Sequence, residues 1–313
     1  MGKELCIDDW KKVVDILYEK GIEMFSLSGG EILLKDGFDR LIRYIREEGD
    51  KRNIHQPIVI ISNGLLMERD YLELFKELDV HLSMSLPGYE TFEYHTGVDN
   101  AEGVLHWFKE AKEIGLSTTL NVTVTKKNIH ELFETISLGL INGANDVLLN
   151  RFLPGGRGLT YMNELLLSSS QVNTMLDIAE EVLGYANRFG NVGTEIPLCT
   201  IKERKKYKRI HVGYQCAAAR GFFVIDPSGQ IRTCNHSQHI VGHIFNNPII
   251  TDTDYWNKFA NSTFKPDGCF YCKWIKACDC GCREVANILK GKINATDPSI
   301  LQDCKPYNAE VYK

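Results

Sequence analysis

The sequence predicts an α/β protein in which a parallel sheet is followed by a smaller cysteine-rich domain. Two observations predict this. Apolar, strand-like runs alternate with amphipathic helical runs over roughly the first half of the chain, which is typical of parallel strands joined by right-handed crossovers. Nine of the ten cysteines then fall from Cys199 onward, where short strands and turns replace the alternation.

The elements of the first part follow from their periodicity. Residues 8–20 (DDWKKVVDILYEK) carry apolar side chains at helical spacing, with acids at the start and Gly21 as a stop signal. Strand-like runs follow at 22–28, 57–62, 80–86, 117–125 and 146–152. Helices are expected between them near 37–48, 68–78, 101–114 and 128–140. This alternation predicts a doubly wound sheet or a barrel.

Polar residues and glycines follow the predicted strands, where such folds bind ligands. Glu31 offers an anion for an ammonium group, and Arg151 could clamp a carboxylate with two hydrogen bonds. The candidate binding residues at these strand ends are Ser28, Gly29, Gly30, Glu31, Ser62, Asn63, Ser85, Asn121 and Arg151. Together they predict a site for a zwitterionic, ribose-bearing ligand. The alternative is that small polar residues merely end the strands.

These strand ends, in this order, resemble the radical S-adenosylmethionine (SAM) enzyme family. In that family a GGE-type motif after the second strand binds the methionyl amino group of SAM, and here it is Gly29-Gly30-Glu31. The resemblance covers about residues 4–160 and implies a partial (β/α)6 barrel. It also implies that ribose and carboxylate are held by Ser85, Asn121 and Arg151.

One family feature is missing from the sequence. The CxxxCxxC loop that binds the SAM-cleaving [4Fe-4S] cluster is absent, because no cysteine lies between Cys6 and Cys199. The helix at 8–20 would follow that loop, so the first barrel strand is missing as well. We therefore expect a parent chain with a further N-terminal piece and a third cluster, and no activity from this chain alone. A natural, degenerate relative is the alternative.

The second part combines a predicted helix at 168–188 with a predicted hairpin at 220–234. The hairpin turns at residues 226–229 (DPSG) and should bring Cys216 towards Cys234. The later spacing, Cys269-x2-Cys272-x5-Cys278-x3-Cys282 and then Cys304, resembles the SPASM domain of radical enzymes that modify peptides. We accordingly divide the chain into a barrel (1–160), a helical linker (161–194) and an α+β SPASM domain (195–313).

The SPASM resemblance implies two auxiliary [4Fe-4S] clusters with interleaved ligands. The first set is Cys216, Cys234 and Cys282, with Cys199 as the candidate fourth ligand. The second set is Cys269, Cys272, Cys278 and Cys304. Cys280 is either a spare thiol or the replacement for Cys199. Two structural zinc sites are the alternative, because four thiolates suit zinc as well as iron-sulfur clusters.

Composition limits the function classes. A formal net charge of −5 argues against a dedicated nucleic-acid binder. The sequence has neither a long apolar run nor a basic-then-apolar leader, so we expect no membrane span and a cytoplasmic location. Clustered thiols in a reducing compartment hold metal more often than they form disulfides.

The resemblance implies a peptide-maturing enzyme. The family cleaves SAM reductively, and the resulting 5'-deoxyadenosyl radical abstracts hydrogen from a peptide while auxiliary clusters carry electrons. Thioether or carbon-carbon cross-linking of a ribosomal peptide is the favoured reaction, with flavodoxin or ferredoxin as electron donor. Sulfatase-type maturation is the enzymatic alternative. A non-initiating electron-transfer scaffold, or a zinc-stabilised peptide-binding module, is the alternative from another class.

Overall fold

The computed structural model describes residues 3–300. These residues form two compact units. The first comprises the chain up to Thr123 together with Phe133–Leu148, and the second comprises Val124–Leu132 and the chain from Leu149 onward. The boundaries predicted at 160 and 194 stay predictions beside this division.

Helices and strands alternate along most of the described chain. In order, they are α1 (Ile7–Glu19), β1 (Phe25–Leu27), α2 (Phe38–Lys51), β2 (Ile58–Ser62), α3 (Arg69–Glu77), β3 (Val80–Ser85), α4 (Phe92–Thr96), α5 (Ala101–Glu113), β4 (Thr118–Val124), α6 (Leu132–Asn142), β5 (Asp146–Arg151), α7 (Met162–Leu165), α8 (Ser169–Ala186), β6 (Gly190–Val192), β7 (Ile210–Val212), β8 (Val224–Ile225), β9 (Gln230–Arg232), β10 (Gly242–His243), α9 (Thr253–Ala260) and α10 (Arg283–Lys290).

Strands β1 to β7 form one parallel sheet whose strand order follows the chain. This confirms the predicted α/β class, and the five predicted strands correspond to β1–β5. Strands β6 and β7 were not predicted, and β6 lies inside the segment assigned to a helical linker. Each has only three residues, too few for a periodicity to be recognised.

Alternating apolar residues hold the first unit together. In β2, Ile58 and Ile60 are buried, while Val59 between them is partly exposed. Ile60 pairs with Leu82 of β3. Helix α2 buries Phe38 and Ile42, and α1 packs against α2. Each such side chain contributes about 1.5–3 kcal/mol when it leaves water. The carboxyl ends of the strands are thereby fixed.

The second unit contains the predicted helix and the predicted hairpin. Helix α8 begins after Ser168, whose hydroxyl accepts from the Gln171 N–H while the Gln171 side chain accepts from the Ser168 N–H, a capping box. In the hairpin, β8 and β9 pair antiparallel. The Gly229 N–H donates to the Asp226 carbonyl at 2.9 Å and Gly229 has φ +87°, which glycine adopts without steric cost.

Among the helices of residues 3–300, none carries the apolar stretch that crossing a bilayer requires.

Glu180 of α8 joins the helix to β7. Its two carboxylate oxygens accept the backbone N–H groups of Lys208 (2.9 Å), Arg209 (2.8 Å) and Ile210 (3.1 Å). Burial opposes ionisation of this group, but the three N–H donors outweigh it and lower the pKa of Glu180.

We expect Glu180→Gln to lower the free energy of unfolding by about 1–3 kcal/mol, because an amide NH2 would face backbone donors. The pKa is depressed in the folded state, so the stabilisation is complete above the unfolded pKa and is lost as pH falls through the folded value. Urea denaturation near neutral and acidic pH measures both effects. The control is Glu181→Gln, a substitution at the exposed residue next to Glu180. An equal loss in both variants would contradict the prediction.

Candidate cofactor and metal-binding sites

The carboxylate of Glu31 lies at the carboxyl end of β2. Its Oε1 accepts hydrogen bonds from the Ser62 hydroxyl (2.8 Å) and the Leu33 N–H (3.2 Å), and its Oε2 accepts from the Asn63 N–H (2.8 Å). A carboxylate offers about four acceptor positions, so these three bonds leave room for one more donor. The carboxylate is thus held in one orientation and keeps its capacity to bind a cation.

Gly29 and Gly30 connect β1 to Glu31. Both are exposed, neither has a left-handed backbone, and a Cβ added at either would have no neighbour within 4 Å. Neither backbone conformation nor protein packing therefore requires glycine here. Open space on both residues lets a ligand approach the backbone closely.

Ser85, the last residue of β3, lies beside Asn121, which is in the middle of β4 rather than at its end as predicted. They pair in the register of the two parallel strands, and the Leu86 N–H donates to the Asn121 carbonyl at 3.0 Å. Ser62 pairs with Met84, one residue before Ser85. Seven of the nine predicted cofactor residues thus lie at or directly after the carboxyl ends of β1–β3, and Asn121 of β4 lies beside the last of them; the seven are Ser28, Gly29, Gly30, Glu31, Ser62, Asn63 and Ser85.

The ninth residue, Arg151, belongs to the second unit and is fully paired with protein groups there. Its guanidinium forms a bidentate ion pair with Asp297, at 3.3 Å and 2.9 Å, and donates to the Glu195 carbonyl. The side chains of Arg151 and Asp297 are 1% and 0% exposed. Burial opposes the charge on Asp297, but Arg151 lowers the pKa of that carboxyl. A role of Arg151 towards a SAM carboxylate stays a prediction.

Five thiols of the second unit line one small cavity. They are Cys199, Cys269, Cys272, Cys278 and Cys280. The Cys280 Sγ donates to the Cys278 carbonyl at 3.6 Å, and the Cys280 N–H donates to the Cys278 Sγ at 3.3 Å. Interaction with the Cys280 thiol lowers the pKa of Cys278 to about 6 and that of Cys269 to about 7, and it raises the pKa of Cys280.

Three further cysteines form a buried group. The predicted hairpin brings Cys216 and Cys234 into one core cluster, as expected, and Cys282 is buried near Cys234. Burial raises the pKa of all three thiols, that of Cys234 to about 12, and the charge of Glu195 raises each further. Both candidates for a fourth ligand, Cys199 and Cys280, line the five-thiol cavity.

Two buried aspartates hold the backbone of the three-thiol group. The Asp279 carboxylate accepts from the Cys216 N–H (2.8 Å) and from Lys265 (2.6 Å), and Asp297 accepts from the Cys282 N–H (2.7 Å). Neither Asp279 nor Asp297 was among the residues predicted from the sequence. Asp297 had a local signal, the turn sequence DPS, in which its Oδ1 accepts from the Ser299 N–H at 2.8 Å.

The segment between Cys278 and Cys282 reverses direction within three residues. Cys280 and Gly281 both have left-handed backbones, with φ +64° and +79°. A Cβ on Gly281 would lie 2.3 Å from the Asp297 Oδ2. Only glycine fits there, and the turn directs Cys278 and Cys282 into different thiol groups.

The thiols fit iron-sulfur clusters by their chemistry. Within residues 3–300, no three His, Cys, Asp or Glu side chains converge as ligands of one ion would. Thiolates are ligands of iron-sulfur clusters and of zinc alike. Cys304, predicted as a ligand of the second cluster, lies outside the described residues.

The first part of the chain matches a known protein family. Residues 2–139 match the family described as the Radical SAM superfamily. The chain is similar to PqqA peptide cyclase of Bradyrhizobium diazoefficiens, with 24% identity over 326 aligned residues, covering 100% of this chain and 81% of the cyclase.

Two solved structures share the fold. SuiB of Streptococcus suis bound to S-adenosylmethionine superposes with a TM-score of 0.71 and 16% identity, covering 95% of this chain and 70% of SuiB. The protein anSMEcpe with bound AdoMet superposes with a TM-score of 0.68 and 18% identity, covering 88% of this chain and 79% of anSMEcpe. At these identities the likeness concerns the fold. Residues 2–139 match the Radical SAM superfamily in sequence, and the two solved structures agree with that match in fold.

Proposed function

We propose that the protein is a radical SAM enzyme that cross-links a ribosomally made peptide. The Glu31 carboxylate carries the proposal. It is held in one orientation by the polar end of β2, it follows two open glycines, and Ser85 and Asn121 lie on the neighbouring strands β3 and β4. The similarity to PqqA peptide cyclase supports a peptide as substrate.

Different residues of the first unit would bind different parts of SAM. The Glu31 carboxylate has an acceptor position left for the methionyl ammonium. Gly29 and Gly30 let the ligand approach the backbone. The Ser85 hydroxyl and the Asn121 amide are the neutral groups that would hydrogen-bond the ribose. When bound, SAM and the iron-sulfur clusters supply the radical and the electron transfer.

The second unit would hold two auxiliary [4Fe-4S] clusters. We assign Cys216, Cys234 and Cys282 to one and Cys269, Cys272, Cys278 and Cys304 to the other, and the family resemblance makes Cys199 the fourth ligand of the first. Because Cys199 lines the five-thiol cavity, it would have to move to reach that first set. An external one-electron donor such as flavodoxin or ferredoxin completes the proposal. Reduced thiols of this number suit the cytoplasm.

The test is SAM binding by equilibrium dialysis. Glu31→Gln removes the charge that faces the ammonium and should weaken binding by about tenfold to a hundredfold. Gly30→Ala should also weaken binding while leaving the fold unchanged, because its Cβ meets no protein atom within 4 Å.

Two variants serve as controls for SAM binding. Glu23→Gln changes an exposed carboxylate, and Gly184→Ala adds a methyl group where no neighbour lies within 4 Å. Both should bind SAM as the wild type does. If Glu31→Gln and Gly30→Ala also bound SAM with wild-type affinity, the proposed site would be wrong.

A further inference from the structure

A basic groove of the second unit is not used by the SAM site or by the thiols. It has a volume of about 450 Å³ and is lined by residues of β6 and β7 and of the segment 204–210. We propose that this groove binds an acidic, extended segment of the peptide substrate. That the occupant is the peptide substrate rests on the proposed function. The groove and its charges are features of the structure and do not depend on that function.

The charge of the groove comes from three cations. They are Arg204, Lys208 and Arg209, and none of the salt bridges among residues 3–300 includes any of them. Lys206 of the same run, by contrast, pairs with Asp177 at 2.6 Å. The Glu180 carboxylate accepts the backbone N–H groups of Lys208 and Arg209 and interacts with the charge of Arg209, so it offsets part of this positive charge. The side chains of Arg204 and Lys208 have no carboxylate partner in a salt bridge within residues 3–300, and in a chain of formal net charge −5 they favour an anionic ligand.

Aromatic rings hold two of these cations in place. The Arg204 guanidinium lies 3.8 Å from the centre of the Trp274 ring, and the Arg209 guanidinium lies 4.9 Å from that of Phe189. Stacking restricts each guanidinium while its edge N–H groups remain able to donate. Binding a carboxylate then costs less side-chain entropy than it would with mobile arginines.

The shape of the groove favours an extended chain. β7 is the last strand of the sheet in residues 3–300, and all three of its residues line the groove. The Ile210 N–H of β7 already donates to Glu180, so the groove would take a peptide mainly through its side chains. Alternate side chains of an extended peptide point to the same side. Phe189 and Tyr214 are exposed in the groove and provide apolar contacts between the charges.

The groove adjoins the five-thiol cavity. Leu198 lines both, and its backbone N–H donates to the Cys278 Sγ at 3.4 Å. Trp274, which carries Arg204, also lines the thiol cavity. A peptide segment in the groove therefore contacts residues that touch the cysteines, so its binding has a spectroscopic readout in the iron-sulfur absorption.

The experiment measures fluorescence anisotropy of a fluorescein-labelled peptide in which glutamate alternates with leucine. The reconstituted full chain is titrated without SAM, so failure of the SAM site cannot affect the result. Arg204→Glu and Lys208→Glu should each weaken binding by about tenfold. Lys205→Glu, an exposed residue of the same run outside the groove, should change it by less than about twofold.

Three results would overturn the proposal. Lys205→Glu could weaken binding as much as Lys208→Glu does, which would indicate unspecific attraction. A peptide with lysine in place of glutamate could bind equally well, which would exclude charge recognition. A single-stranded RNA could displace the acidic peptide completely, which would assign the groove to nucleic acid. Iron content and circular dichroism confirm that each variant folds.

Discussion

Replacing Arg151 with leucine should lower the free energy of unfolding by about 3–5 kcal/mol, because the Asp297 carboxylate would stay buried without its cation. Asp297 is fully buried, and within residues 3–300 its other donors are the N–H groups of Cys282 and Ser299 and the Ser299 hydroxyl. Urea denaturation followed by circular dichroism measures the loss.

Two further variants separate the ion pair from packing. Arg151→Leu combined with Asp297→Leu removes both charges, so the double variant should cost clearly less than the sum of the single variants. Arg188→Leu, at an exposed position, should change stability by less than about 0.5 kcal/mol. Additive losses in the double variant would show that the buried charges do not depend on each other.

Replacing Cys278 with serine should remove about four irons per chain from the anaerobically reconstituted protein, since one cluster loses a ligand. Cys282→Ser should remove a similar number from the other cluster. The double variant should lose both, because the turn at Cys280 and Gly281 directs the two cysteines into different thiol groups. Iron and sulfide analysis gives the counts.

Cys280→Ser is the matched control. It changes the same atom in the same segment. We expect full iron content because the family resemblance makes Cys199 the fourth ligand of the first cluster, although Cys199 lines the five-thiol cavity in the structure. Loss of iron from Cys280→Ser together with retention in Cys199→Ser would reverse this assignment. Zinc without iron or sulfide in the wild type would overturn the iron-sulfur proposal altogether.

The sequence was sufficient wherever the signal was local. Strands β1–β5 carry apolar runs long enough to be recognised. The hairpin was predicted from its DPSG turn, and with it the approach of Cys216 to Cys234. Glu31 was predicted because parallel strands align their carboxyl ends, so residues distant in sequence meet at one edge of the sheet.

The sequence was insufficient where a contact joins distant segments. Arg151 follows a strand as a carboxylate-binding residue would, and nothing local indicates that Asp297 pairs with it. Cys199 was grouped with Cys216 by resemblance, whereas the structure places it in the five-thiol cavity. Such partners are decided by tertiary packing, in which the arrangement of loops matters more than spacing along the chain.

The pairing of Arg151 with Asp297 also sets an order of events at the ribosome. The two residues are 146 positions apart, so at about 5–20 residues per second their synthesis is separated by roughly 7–30 s. Through that interval the guanidinium must stay in water, because no buried carboxylate is yet available. The predicted binding residues from Ser28 to Asn121 emerge earlier. The segments of the proposed SAM site therefore leave the ribosome before the last cysteines of the second unit are synthesised.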